Sequence, residues 1–188
     1  MTKMLVTPPA GYPVSLEAMK THLRVTQEDD DGYLQELVAA ATAHVEAITG
    51  LSLLEQDWRV FLDDLPQHWV TLPLRPVLQI TQVRHFNLDG DPTILPPTEW
   101  ILDNASDPPR FALTQVSGLE LPCNGLEIDM TVGFGSTGTD VPDTIRRAIL
   151  LLVAQWYEVR GATSDAAVTA IEPPGLHALL RPWRRVSL

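Results

Sequence analysis

Apolar positions repeat with a helical period in three stretches of the chain. The first runs from Ser15 to Arg24, where Leu16, Met19 and Leu23 fall at i, i+3 and i+7 behind an N-capping Ser15 and a first-turn Glu17. This spacing predicts a short amphipathic helix. The second follows the acidic run Glu28-Asp29-Asp30-Asp31: Leu34, Leu37, Val38, Ala41, Val45 and Ile48 share one face and Gly50 supplies a stop, which predicts a helix from about Asp31 to Thr49. In the third, Val141-Pro142-Asp143 restarts the helical pattern with Pro142 at a first helical position. Ile145 to Val153 is then apolar nearly all round, and Gly161 closes a helix over about 142–160. That helix is expected to be the buried centre of a helical body.

Between the second and third helices the period changes. Short runs rich in β-branched and aromatic residues, at Trp58–Leu62, Trp69–Leu72, Ile80–Phe86, Trp100–Leu102, Arg110–Leu113 and Leu126–Val132, alternate with Pro, Gly, Asp and Asn. Nine of the 16 prolines lie between Pro66 and Pro122, so these strands should be short and joined by stiff loops; Asn87 to Pro92 is the clearest hairpin turn. Beyond helix three, 162–174 is small, polar and Pro-containing, and Gly175 to Arg185 has room for one or two helical turns before Pro182. The expected fold is α+β: a three-helix body with an antiparallel β region inserted between helices two and three, plus an extended C-terminal docking arm. Its expected divisions are 1–55 (first part of the helical body), 56–139 (inserted β region), 140–162 (central helix) and 163–188 (linker and arm).

Composition narrows the class. With 45% hydrophobic and 20% charged residues over 188 positions, the chain has enough apolar surface to fold as a globular protein. No apolar run approaches the roughly 18 residues of a membrane span, and the first residues lack the apolar stretch of a signal peptide, so assembly inside the cell and no membrane partner are expected. The lone Cys123 can form neither an internal disulfide nor a thiolate zinc site. Charge is uneven: three basic against eight acidic residues in 1–55, four against twelve in 56–139 and Asp140, six against four in 141–188. The first two thirds would repel a phosphate backbone, which disfavours general nucleic-acid binding.

Chemical motifs are sparse. Gly133, Gly135 and Gly138 spell G-x-G-x-x-G, but several residues separate them from Pro142 and no second parallel strand or ribose-binding acid follows the helix. The sequence has no Walker lysine after those glycines, no G-x-S-x-G and no H-E-x-x-H. His22, His44, His68, His85 and His177 are scattered without metal-ligand spacing, and the Asp63-Asp64 and Asp89/Asp91 pairs suit turns. No catalytic residue, cofactor or metal is therefore assigned. Trp183 stands apart: it is flanked by Arg181, Arg184 and Arg185 behind a loose linker, and Trp and Arg dominate binding hot spots, which suggests a docking segment.

The order of segments resembles the head-tail connector, or adaptor, proteins of tailed bacteriophages and gene transfer agents. The resemblance rests on Val14-Ser-Leu-Glu-Ala-Met-Lys-Thr-His-Leu-Arg-Val25, the acidic run before helix two, Glu46-Ala-Ile-Thr-Gly-Leu-Ser-Leu53 and Leu72-Pro-Leu-Arg-Pro-Val-Leu-Gln-Ile-Thr-Gln-Val83. It continues through Asp89-Gly90, Val132-Gly-Phe-Gly135, the run from Val141 to Arg160, and Leu179-Leu-Arg-Pro-Trp-Arg-Arg-Val186. It implies a non-enzymatic ring component of a virion neck, commonly of twelve copies, assembled in the bacterial cytoplasm. Such a ring is seated under the portal protein, offers its other face to the next neck (stopper or head-completion) protein, and lets DNA pass without sequence-specific binding. It further implies that the C-terminal segment docks on the portal, which assigns that contact to Leu179, Leu180, Trp183, Arg184 and Arg185. The long β insertion departs from the simplest all-helical members. Two other readings stay open at this point: a stopper or tube-type ring protein of the same particle, and a small nucleotide-binding enzyme using the Gly133–Gly138 loop.

Overall fold

The computed structural model describes residues 1–63, 65–114, 123–159 and 172–184. In chain order they form β1 (Thr2–Thr7), α1 (Leu16–Leu23), α2 (Asp31–Thr49), β2 (Gln56–Leu62), β3 (Val70–Thr71), β4 (Val77–Phe86), β5 (Pro92–Leu95), β6 (Trp100–Asp103), β7 (Arg110–Leu113), β8 (Leu126–Val132), α3 (Asp143–Glu158) and α4 (Leu176–Leu180). Short 3-10 turns stand at Gly138–Asp140 and Arg181–Trp183. The fold is α+β with antiparallel sheets. The chain divides into two compact units, one from residues 1–10 and 55–134, the other from 11–54 and 135–188.

The first unit holds all eight strands. A five-stranded antiparallel sheet has the order β1-β2-β8-β4-β5, and a three-stranded one the order β3-β7-β6. One face of the larger sheet carries Val60, Leu62, Val83, Ile128 and Met130, all buried, and Phe111 of β7 joins this core. The opposite face carries charge in register: Arg59 and Asp129 are cross-strand partners, as are Arg84 and Glu127. Asp129 accepts from Arg59 at 2.6 Å and pairs with Arg84, so two guanidinia share two carboxylates on a half-buried surface. The Asn87–Pro92 turn forms as the sequence implies: the Asn87 side chain accepts the backbone N–H groups of Asp89 and Asp91, and β4 pairs with β5 beyond it.

Two strands were not anticipated. β5 is a four-residue edge strand that opens on Pro92 and pairs through β4. β1, from residues read as part of the helical body, instead adds an edge to the sheet by pairing with β2, and Met4, Leu5 and Val6 on it are exposed.

The second unit holds the helices. α1 starts where Ser15 accepts the Ala18 N–H at 3.2 Å. α2 spans Asp31–Thr49 as the pattern predicts, burying Leu34, Val38, Ala41 and Val45 and ending at Gly50, whose φ of 69° is the left-handed turn a stop requires. Thr42 and Thr49 sit on its buried face without cost because each hydroxyl donates to the carbonyl four residues earlier, at 2.7 Å. α3 is less uniform than the apolar run suggests. It buries Ile145, Ala148, Ile149, Leu152 and Val153 against α2, while Arg147 is exposed, and Pro142 takes the capping position rather than the first helical one.

The C-terminal segment is not extended over its described residues. α4 packs on α3, with Leu176 and Leu180 at 0% exposure, because two leucines four apart on a short helix find an apolar partner on the unit itself.

Candidate docking surface of the helical unit

The residues singled out for docking lie in and after α4. Leu180 is buried, Leu179 and Trp183 are half-buried and Arg184 is exposed; Arg185 lies outside the described residues. The Trp183 indole Nε1 donates to the Thr144 hydroxyl at 2.9 Å, which fixes the 3-10 turn on the first turn of α3. The Arg184 N–H donates to the Leu180 carbonyl at 3.1 Å and closes that turn. Leu180 therefore anchors the segment to its own unit, while Leu179 and Trp183 keep part of their surface open and Arg184 most of it.

The glycine-rich loop resolves into packing. A Cβ on Gly138 would lie 2.5 Å from the Pro13 carbonyl oxygen, so only glycine lets this turn touch the chain entering α1. A Cβ on Gly135 would meet the Asp140 carboxylate at 2.5 Å. That carboxylate folds back to accept the Thr137 N–H and hydroxyl, both at 2.8 Å, and these bonds hold the Asp140 carboxyl below its ordinary range. The loop thus already holds a carboxylate of its own on the Thr137 amide.

A groove of about 530 Å³ lies beside this loop, lined among others by Tyr12, Pro13, Ala18, Gly138, Arg147 and Leu150. Tyr12 is 49% exposed. Arg146 pairs with Asp143 three residues back. Arg147 makes no ion pair with a carboxylate among the described residues; its guanidinium reaches His22 Nδ1 at 3.4 Å. Burial, and then the Arg147 charge, hold the His22 imidazolium below its usual range. Sequence reading missed this groove, although the Arg146-Arg147 pair interrupting an apolar run was its visible signal.

Among the described residues, no group of His, Cys, Asp and Glu side chains could hold a metal ion, and no helix is long and apolar enough to cross a membrane.

Residues 13–87 match the family described as phage gp6-like head-tail connector protein. Solved structures similar along the whole length include a chain of the virion of the native gene transfer agent particle, at 27% identity and a TM-score of 0.83. They also include a chain of the neck of the empty particle computed with C6 symmetry, at 28% and 0.82, and one of the neck of the native particle computed with C12 symmetry, at 29% and 0.78. Each likeness covers 100% of this chain and 97% of the other. No curated protein sequence matches. The resemblance read from the sequence is thus met twice: residues 13–87 are similar to the phage gp6-like head-tail connector family, and the whole chain is similar in fold to a chain of the gene transfer agent neck.

Proposed function

We propose that the protein is the head-tail connector, or adaptor, of a phage-like particle: a non-enzymatic structural component that forms a ring, of twelve copies, between the portal and the next neck protein. The observation that carries this reading is the full-length likeness to chains of gene transfer agent particles, at identities of 27–29%. The connector match over residues 13–87 supports it independently. The formal charge of -11 suits a channel through which DNA slides without sticking. In this reading α1, α2 and α3 are the ring body and the segment after residue 162 is the docking arm, with assembly in the bacterial cytoplasm.

Portal contact is assigned to Leu179, Leu180, Trp183, Arg184 and Arg185. Burial divides their roles: Leu180 positions the segment, and the others offer it to the portal. Co-sedimentation with purified portal rings tests this. The full-length chain should co-sediment, and the triple variant Trp183→Ala, Arg184→Ala, Arg185→Ala should not, with an unchanged circular dichroism spectrum. A variant that still co-sediments would remove the docking assignment. If the native chain itself fails to bind, the stopper or tube-type ring reading takes the adaptor's place. A truncation ending at Ala170 is the less clean comparison, because it also removes the buried Leu176 and Leu180.

A further inference from the structure

We propose that the groove beside the Gly138 turn receives the Glu28-Asp29 loop of a second copy of this chain, so that helical units join head to tail. The inference rests on the ring reading and names the contact that would build the ring.

The groove is open and lies in the helical unit, with Tyr12 exposed at its border. Its two guanidinia differ. Arg146 is held by Asp143, which neutralises the groove's carboxylate, whereas Arg147 has no carboxylate partner among the described residues. An exposed guanidinium beside an apolar depression offers a fork of donors to a carboxylate and an alkyl stem to whatever carries it.

The complementary feature is on the same unit. Between α1 and α2, Glu28 and Asp29 are exposed and make no side-chain hydrogen bond or ion pair among the described residues. Their neighbours hold the loop in place: Asp30 accepts the Tyr157 hydroxyl at 2.5 Å, and Asp31 accepts the Lys20 ammonium at 2.6 Å. Two carboxylates are thus presented on an anchored loop.

The two features make no ion pair with each other within the unit among the described residues. Arg147 and Tyr157 lie ten residues apart on α3, about 15 Å along the helix axis. The acidic loop is tied to the far end of that helix and the groove to its first half. Groove and loop on two copies can pair reciprocally in a closed two-fold dimer or one-way in a heterologous contact, which repeats from copy to copy and closes into a ring when the rotation allows. The ring reading selects the second. Electrostatic complementarity of this kind fixes register between otherwise similar surfaces.

Sedimentation velocity on the full-length chain at low salt tests the contact. The native chain should form oligomers. Arg147→Glu alone, and Glu28→Lys with Asp29→Lys, should each weaken association by about tenfold or more, and the triple variant carrying all three changes should recover it. The distinguishing result is the mixture of the two loss variants. One retains the loop and the other the groove, so together they should form dimers that do not grow. Circular dichroism confirms that these exposed substitutions leave the fold intact. If either loss variant associates like the native chain, the groove contact is overturned and the ring reading survives. If the native chain stays monomeric at every concentration, both fall.

Discussion

At the scale of single residues, close approach and local charge set the strongest expectations. Gly138→Ala should destabilise the helical unit by about 2 kcal/mol, because the new methyl meets backbone that cannot swing aside. Gly32→Ala, in the first turn of α2 with open space around it, should stabilise by about 0.5 kcal/mol. Urea denaturation of the two variants reads both signs. His22 gives a pH expectation. Its folded-state pKa lies below 6.5, so the unfolded chain binds the proton more readily, and stability should fall as pH drops from about 6.5 toward the folded value. Arg147→Gln should raise the His22 pKa only part of the way back, since burial is the larger cause; an NMR titration of the imidazole checks this.

At the scale of elements, the C-terminal helix is the clearest case of a side chain with a structural role where docking was expected. Leu180→Ala should cost about 2–4 kcal/mol of stability by leaving a cavity against α3, measured as a shift in the denaturation midpoint. Legibility in the sequence followed the strength of local signals. α2 appeared at its exact bounds because a continuous apolar stripe, an acidic start and a Gly stop all agree. β1 was invisible because Thr2–Thr7 has no alternation: every residue on it is exposed, and pairing with β2, more than fifty residues away, is what makes it a strand. β5 was hidden by Pro92, which reads as loop and is tolerated at an edge. The sequence marks the C-terminal segment by Trp183 and its arginines, but not which side each leucine turns, since that depends on the apolar surface of α3. Of the groove the sequence shows only the Arg146-Arg147 pair, because Tyr12, Gly138 and Arg147 come together only through the packing of distant segments.

At the scale of the whole molecule, the two units interlace along the chain: the first takes residues 1–10 and 55–134, the second 11–54 and 135–188. This has a consequence for the order in which a nascent chain can mature on the ribosome. The sheet unit has all its strands once β8 has emerged, whereas α2 must wait about ninety residues for α3. At bacterial synthesis rates that is a delay of roughly 5–20 s. During it the Leu34, Val38, Ala41 and Val45 stripe lacks α3, the larger of the two helices that pack on α2. A released chain truncated after residue 136 should therefore show a protease-resistant strand region alongside cleavable α1 and α2, and full protection should arrive only with the last fifty residues. A chain made this way carries a finished sheet and a partly uncovered α2 face until α3 is synthesised.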